Sequence, residues 1–196
     1  MNNDDLFDGI DTDRIHLRCV RPSDAVVVAQ LMTPSVSRWL ASWPETVTEA
    51  FVAARILEAR AAVADGQALH FLIARRTDRA VMGWIRVSRV EADPKRGDLG
   101  YWLSDAYHSH GYMPEAAHAA LTAAFDRLGL DSIEGGAQPE NVASLSVMRR
   151  LGMEYSDERV VWASARGRDE PCVFYSVTRE MFTQHRLGRN ETSKYA

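Results

Sequence analysis

Short apolar runs and alternating apolar and polar positions predict a series of strands along the chain. They fall at residues 15–20, 69–74, 81–87, 98–103, 132–137, 155–163 and 172–178. Apolar positions three and four residues apart predict helices that end at Met32, span 45–64, run from Pro114 to Leu128, and run from Asn141 to Leu151. Helices and strands alternate, but the first strands also read as hairpins. The pattern therefore predicts an α+β fold with a mixed sheet and helices on both faces.

Polar segments separate these elements and define the limits of the domain. Residues 75–79 and 93–97 predict turns, and the second combines Asp93, Pro94 and Gly97. A single domain over residues 1–182 accommodates all the predicted elements. Residues 183–196 are polar and show no periodicity, so they predict a loose C-terminal tail.

The segment between the strand at 98–103 and the next helix predicts an anion-binding site. It contains Gly111, and Pro114 suits the first positions of the helix. Unpaired backbone N–H groups converge at a helix N-terminus, and the helix dipole favours negative charge there. The loop has neither the Gly-Lys-Ser/Thr ending of a P-loop nor the Gly-x-Gly-x-x-Gly fingerprint. The pattern favours a ligand that carries a pyrophosphate.

The two helices beyond this point are each well specified by sequence. The first buries one face and stops at Gly129; that face carries Ala117, Leu121, Ala124, Phe125 and Leu128. The second begins with Asn141 as N-cap and Ser144 at its third position. Its buried stripe is Val147, Met148 and Leu151, with Gly152 just past its end.

Composition narrows the class of protein only slightly. A chain of 196 residues that is 46% hydrophobic can form one substantial core. Its formal net charge of −4 argues against general nucleic-acid binding. Cys19 and Cys172 lie far apart without metal-ligand spacing, and the N-terminus lacks the apolar core of a signal peptide. We expect a reduced, cytoplasmic protein without a membrane span, either a monomer or a homodimer.

Several of these segments together resemble the GNAT acyltransferase superfamily, and in particular its ribosomal-protein N-terminal acetyltransferases. The resemblance covers residues 12–182. It is carried by Thr12-Asp-Arg-Ile-His-Leu-Arg, Gly100-Tyr-Trp-Leu103, the Gly111-Tyr112 turn and Pro139-Glu-Asn-Val-Ala-Ser144, followed by Leu151-Gly-Met153. It implies a central mixed, mostly antiparallel sheet flanked by helices, and acetyl transfer from acetyl-coenzyme A to an amine by direct attack in a ternary complex.

The resemblance also assigns candidate catalytic residues. A carboxylate should accept the proton of the attacking amine, directly or through water, and Asp98 is the candidate. The simpler interpretation is an ordinary exposed strand residue beside a turn. Backbone N–H groups of residues 100–103 would stabilise the oxyanion. Ser144 is the candidate partner for the departing thiolate, or it satisfies its own helix turn. Tyr155 is a weaker rival, for which packing at a strand edge is the simpler interpretation.

The cofactor-binding assignment follows the family's pyrophosphate loop. The implied residues are Leu103, His108, Ser109, His110, Gly111, Tyr112, Met113 and Asn141. His108 stands where relatives carry Arg or Gln, and Met113 stands where they carry Gly or Ala. His offers less to a phosphate than the bidentate fork of Arg, and Met places a long side chain near the backbone cradle. His108 and His110 lack a standard metal-ligand spacing, so no metal is expected.

Aromatic residues suggest where the acceptor binds. Trp43 and Tyr101 are the candidate substrate contacts, whereas Trp39 is expected to pack in the core. The acceptor could be a protein N-terminus, an amino-sugar antibiotic, a polyamine or an amino acid, with a slight preference for a peptide amine. The alternative is a non-catalytic coenzyme A-binding or scaffold protein on the same fold, which the unusual His108 and Met113 favour.

Overall fold

A single eight-stranded sheet organises the protein in the computed structural model, which describes residues 6–192, with side chains described for 6–185. The strands are β1 (Ile10–Asp11), β2 (Ile15–Cys19), β3 (Ala68–Arg75), β4 (Val81–Val90), β5 (Asp93–Leu103), β6 (Ser132–Ala137), β7 (Glu154–Ala163) and β8 (Arg168–Thr178). Their spatial order is β1-β2-β3-β4-β5-β6-β8-β7. Only β5 and β6 run parallel, and every other neighbouring pair is antiparallel. The mixed, mostly antiparallel sheet is confirmed.

Helices cover both faces of this sheet, as predicted. They are α1 (Ala25–Leu31), α2 (Pro34–Ser37), α3 (Glu49–Ala64), α4 (Tyr112–Leu128), α5 (Val142–Arg150) and α6 (Arg179–Thr192), with 3₁₀ turns at Pro22–Asp24 and Asp105–Tyr107. One core cluster packs α4, α5 and the start of α6 against the sheet, and a second packs α1, α2 and α3 against the opposite face. The predicted buried face of α4 is confirmed, since all five of its residues lie in the first cluster.

The helix ends were predicted well at their C-termini and less well at their N-termini. Gly129 and Gly152 adopt left-handed conformations with φ of 60° and 76°, as helix-ending glycines do. However, α4 begins at Tyr112, which places Pro114 at the third helical position rather than the first. The N–H of that position needs no partner within the helix, so proline is still tolerated there. The helix predicted from residue 45 begins only at Glu49, after the side chain of Thr48 caps it.

Two predicted segments differ in the structure. Residues 93–97 form the start of β5 rather than a turn, because they pair with Val90, Arg89 and the N-terminal end of β6. The predicted loose tail is helical as far as Thr192, because α6 packs Phe182 into the core against Phe125. The predicted domain limit at 182 therefore falls inside α6, and residues 193–196 lie outside the described part of the chain.

The parallel pair β5–β6 sets the position of the candidate site. Their pairing covers only Arg96–Leu99 against Ser132–Gly135, after which the two strands separate. α4 follows β5 and α5 follows β6, so both helices begin at the carboxyl end of this pair. In open α/β sheets such a crevice at the carboxyl ends of parallel strands is where ligands bind.

Candidate active site

The free edge of β5 lines the opening between the two strands. Beyond Leu99, β5 pairs with β4 on one side, and none of the strands within residues 6–192 pairs with it on the other. The carbonyl of Trp102 faces Gly83 of β4. Because successive residues of an extended strand point their N–H and C=O groups to opposite sides, those of Tyr101 and Leu103 point toward the opening. Two backbone N–H groups therefore point into the crevice from a rigid strand.

The loop that leads from β5 into α4 forms the second wall of the opening. Ser109 and Gly111 both have left-handed backbone conformations, with φ of 62° and 75°. The positive φ predicted for Gly111 is confirmed. A side chain at Gly111 would meet nothing closer than 3.5 Å, and that atom belongs to Arg14, so the space around the start of α4 is open. Binding of a phosphate by the N–H groups at this helix start stays a prediction.

The two histidines of this loop bond to the loop itself. His108 Nε2–H donates to the carbonyl oxygen of Leu103 at 2.8 Å, and His110 Nδ1–H donates to the carbonyl oxygen of His108 at 2.6 Å. The His110 ring stacks on Tyr112 with its centroid 5.8 Å away. Both imidazoles are bonded to loop carbonyl oxygens. The contact between His108 and a phosphate therefore stays a prediction.

Met113 does not obstruct the loop. Its side chain is only 7% exposed and lies in the core cluster beneath α4. The second helical position points inward here, because α4 begins two residues before Pro114. The sequence expectation that a long side chain stands beside the backbone cradle is therefore wrong.

The loop is also tied to the elements on either side of it. Asp105 accepts hydrogen bonds from the hydroxyls of Ser35 at 2.6 Å and Thr33 at 2.7 Å, which join it to the start of α2. These bonds, first that of Ser35 and then that of Thr33, hold the pKa of Asp105 below its usual value. On the other side lies Arg14, for which the sequence analysis assigned no role although it belongs to the Thr12-Asp-Arg-Ile segment.

Ser144 and Tyr101 form a hydroxyl pair across the opening. Ser144 Oγ lies 2.9 Å from the Tyr101 hydroxyl oxygen, and the Tyr101 hydroxyl also reaches the Ser144 carbonyl oxygen at 3.1 Å. Burial raises the pKa of Tyr101 to about 12, and the bond to Ser144 acts in the opposite direction. Tyr101 thus remains a neutral phenol, and the Ser144 hydroxyl bonds to it. Asn141 caps α5 as predicted, because its Oδ1 accepts from Ser144 N–H at 3.2 Å.

Asp98 lies one residue before the strands separate, on the sheet face that α3 covers. Its Oδ2 accepts from Arg86 Nη2 at 2.6 Å, and both side chains are 38% exposed. The Arg86 guanidinium lies over Gly100, where an added Cβ would sit 3.0 Å from Nε. Glu134 pairs in register with Asp98 on β6 and is bound by Arg159. Two carboxylates therefore lie side by side next to the opening, each with its own arginine, and the sequence analysis identified only Asp98.

The same sheet face carries a half-buried histidine, His70. Trp84 Nε1–H donates to His70 Nδ1 at 3.2 Å. Burial, followed by the charges of Arg86 and Arg55, lowers the pKa of His70 to about 3. His70 is therefore neutral at physiological pH and adds no positive charge to this face.

The burial of the two tryptophans is the reverse of what the sequence predicts. Trp43 is only 8% exposed and packs edge-on against Trp84 and Trp102, with centroids 6.2 Å and 5.9 Å away. Trp39 is partly exposed, with Arg38 stacked over its ring at 4.6 Å. The Pro44 that follows Trp43 suggested a loop, but the loop folds onto the core. The faces of the Trp43 ring are thus occupied by protein, whereas Tyr101 borders the opening directly.

Tyr155 lies away from the hydroxyl pair. It is 58% exposed on β7 and contacts Tyr175 edge-on. Among the side chains that the structure describes, no group of three His, Cys, Asp or Glu could hold a metal ion. Within the described residues, none of the helices is both long enough and apolar enough to cross a membrane.

Comparison with known proteins agrees with this architecture. A family model described as an acetyltransferase (GNAT) domain matches residues 14–154, well over half of the chain. The uncharacterized N-acetyltransferase p20 of Bacillus licheniformis is 27% identical over 174 residues, which cover 87% of this chain and 96% of p20. The chain belongs to the GNAT acetyltransferase family.

Solved structures share the fold at low sequence identity. Mycobacterium smegmatis RimJ in complex with CoA-disulfide superposes with a TM-score of 0.74 at 19% identity, covering 90% of this chain and 89% of that one. RimL, a ribosomal L7/L12 alpha-N-protein acetyltransferase in complex with coenzyme A, gives a TM-score of 0.75 at 19% identity over 87% of this chain and 98% of its own. At such identities the likeness establishes the fold alone.

Proposed function

We propose that the protein transfers an acetyl group from acetyl-coenzyme A to a primary amine, without a covalent enzyme intermediate. The observation that carries this proposal is the opening between β5 and β6, into which a free strand edge and the starts of two helices converge. Membership of the GNAT family and the coenzyme A complexes of RimJ and RimL support the donor. Peptide N-termini are our first choice of acceptor, since RimL is named for acetylating a ribosomal protein.

Donor binding uses the start of α4 and the free edge of β5. The N–H groups at Gly111, Tyr112 and Met113 receive the pyrophosphate, since they have no partners within the helix. The pantetheine arm then lies along the opening, past the backbone N–H groups of Tyr101 and Leu103. Those N–H groups stabilise the negative charge that develops on the acetyl carbonyl oxygen during attack.

Proton transfer uses the two sides of the opening. The amine must lose its proton to attack, and Asp98 accepts it, directly or through a water, on the side of Gly100. Asp98 Oδ2 is occupied by Arg86, which leaves Oδ1 for this contact. The thiolate of coenzyme A departs toward α5, where Ser144 or Tyr101 donates a hydrogen bond. A thiol has a pKa of about 8.5, far below that of Tyr101, so a hydrogen bond is sufficient and full proton transfer is not required.

The rival function is a protein that binds coenzyme A without catalysis. It is favoured by one observation: His108, in the place of the loop arginine of relatives, bonds to Leu103 instead of extending from the loop. The experiment is to measure thiol release from acetyl-coenzyme A with an amine panel of N-terminal peptides, a polyamine, an amino sugar and free amino acids. Amine-dependent release supports the enzyme. Calorimetric binding of coenzyme A without release for any amine supports the rival, and absence of binding overturns both.

A further inference from the structure

Arg14, at the turn before β2, holds the backbone of the proposed pyrophosphate loop. Its Nη1 donates to the carbonyl oxygen of His110 at 2.9 Å, and its Nη2 donates to that of Gly111 at 3.2 Å. The guanidinium also stacks over the ring of Tyr112, 5.0 Å from the centroid. One side chain from a distant part of the sequence therefore contacts three consecutive residues at the start of α4.

Arg14 is itself held by the first turn of α4. Its Nε donates to Glu115 Oε2 at 2.7 Å, and its backbone N–H donates to Glu115 Oε1 at 2.9 Å. The Thr12 hydroxyl donates to the same Oε1 at 2.6 Å. Burial by itself would raise the pKa of Glu115, but the hydrogen bonds from Thr12 and Arg14 outweigh it and hold that pKa below its usual value. Glu115 thus stays ionised and anchors both residues to the first turn of α4.

The geometry of the peptide bond gives these contacts a consequence for anion binding. In a trans peptide the C=O and N–H groups point in opposite directions. Because Arg14 binds the carbonyls of His110 and Gly111, the N–H groups of Gly111 and Tyr112 must point away from the guanidinium. That is the direction in which they can converge on a phosphate. A cation on each carbonyl also polarises the peptide unit, which strengthens its N–H as a donor.

We propose that Arg14 is the positioning residue for the pyrophosphate of acetyl-coenzyme A, acting through the loop backbone. The loop of this chain needs such a residue, because His108 and His110 bond to backbone carbonyls and supply no fixed cation. Arg14 supplies a permanent charge behind the loop instead of in front of it. The inference rests on the proposed function, since it requires that the loop receive a pyrophosphate.

The test compares donors with and without the pyrophosphate. In Arg14→Gln we expect the KM for acetyl-coenzyme A to rise by at least about tenfold, with kcat changed by less than about threefold. With acetyl-pantetheine, which carries the same thioester but no pyrophosphate, kcat/KM should stay within about twofold of wild type. A merely structural defect would lower activity with both donors. Arg14→Lys keeps the charge but not the paired contacts, so it should resemble Arg14→Gln.

Arg76→Gln is the matched control. Arg76 contacts the same turn, through Nη1 to the Thr12 carbonyl at 2.8 Å and through its N–H to the Arg14 carbonyl at 2.9 Å, and no contact joins it to the loop. Arg76→Gln removes one positive charge near the same turn. It should leave the KM for acetyl-coenzyme A within about twofold of wild type. An equal rise in both variants would mean that general electrostatic attraction, and not positioning, is responsible, and would overturn the inference.

The outcomes also separate this inference from the proposed function. If wild type binds coenzyme A and both Arg14 variants bind it equally well, only the role of Arg14 is overturned. If wild type does not bind coenzyme A, the function and the inference fall together. If Arg14→Gln does not fold, Glu115→Gln is the substitute variant. It weakens the hydrogen bonds that hold Arg14 but keeps the guanidinium and its charge. It should raise the KM for acetyl-coenzyme A and spare acetyl-pantetheine, and a wild-type KM would count against the inference.

Discussion

Single residues decide how the loop and the hydroxyl pair work, and Gly111 is the clearest case. Its φ of 75° belongs to the left-handed region, which a β-branched residue adopts only with strain. Gly129, at the other end of α4, has a φ of 60° and nothing within 4 Å of an added Cβ. The two glycines therefore share the same backbone demand and differ in whether they face the proposed cofactor.

We expect Gly111→Val and Gly129→Val each to cost about 1–3 kcal/mol of stability, because both place valine in the left-handed region. Only Gly111→Val should abolish coenzyme A binding in calorimetry, since its side chain and the rearranged loop displace the N–H groups that we propose as the phosphate contacts. Equal loss of binding in both variants would show that destabilisation of α4, rather than the loop, is the cause.

The hydroxyl pair gives a second residue-scale prediction. Ser144→Ala and Tyr101→Phe should each lower kcat by about tenfold and leave the KM for acetyl-coenzyme A nearly unchanged, because the proposed mechanism places both hydroxyls at the departing thiolate. Because the two hydroxyls bond to each other, the double variant should lose less than the product of the single effects. Tyr155→Phe is the control. If kcat falls in Tyr155→Phe but not in Ser144→Ala or Tyr101→Phe, the hydrogen-bond donor to the thiolate is Tyr155 on β7.

At the scale of elements, sequence predicted what is local and missed what depends on tertiary contact. The buried face of α4 and the cap of Asn141 follow from periodicity and from residue type, and both are confirmed. The start of β5 was misread as a turn because Pro94 and Gly97 are tolerated in a strand when its neighbours supply pairing. The roles of Arg14 and Glu134 were not visible, since each depends on a partner more than 20 residues away, Arg14 on Glu115 and Glu134 on Arg159.

The hairpin of β7 and β8 shows how such distant contacts join elements. Glu170 on β8 accepts from Arg166 Nη2 and Gln138 Nε2, both at 2.6 Å, and also from Arg168. Arg166 extends this group to the Leu40 carbonyl at 3.2 Å, in the segment between α2 and α3. The hydrogen bond from Arg166 is the largest influence that lowers the pKa of Glu170 to about 2, against the opposing effect of burial.

This carboxylate should make stability depend on pH. The folded pKa is below the unfolded value of 4.5, so the stabilisation is complete above about pH 4.5 and is lost as the pH falls toward about 2. A shift of this size corresponds to roughly 3 kcal/mol. Glu170→Gln should therefore be less stable than wild type in urea at pH 7, and the difference should shrink as the pH is lowered from 4.5 to 2. If the difference in stability between wild type and Glu170→Gln does not change with pH, the loss comes from packing and not from the charge of Glu170.

At the scale of the whole molecule, the proposed donor site lies between two parts of the sheet. Residues of β5 and α4 form one side of the opening, and residues of β6 and α5 form the other. A ligand that spans the opening contacts both sides only in the native state, so it must stabilise the fold by mass action.

We expect acetyl-coenzyme A at one hundred times its dissociation constant to add about 2.7 kcal/mol of stability, seen as a rise in the thermal midpoint. Adenosine alone, which carries no pyrophosphate, is the control and should give little shift at the same concentration. A midpoint unchanged at millimolar acetyl-coenzyme A would remove the donor assignment. An equal shift with adenosine would mean that contacts outside the proposed pyrophosphate loop account for the binding.

The short pairing of β5 with β6 has a mechanical consequence. Four residue pairs join the two parts of the sheet at one end of the opening, whereas antiparallel pairing stiffens each part on its own. The sheet therefore has two parts, strands β1 to β5 and strands β6 to β8, and the short β5–β6 pairing is the hinge between them. We expect bending at that hinge to alter the width of the opening without breaking the strand pairs on either side of it. We therefore expect the packing of α4 and α5, with Met148 against Gly135 at the base of the hinge, to set the width that the opening offers to the proposed acyl donor.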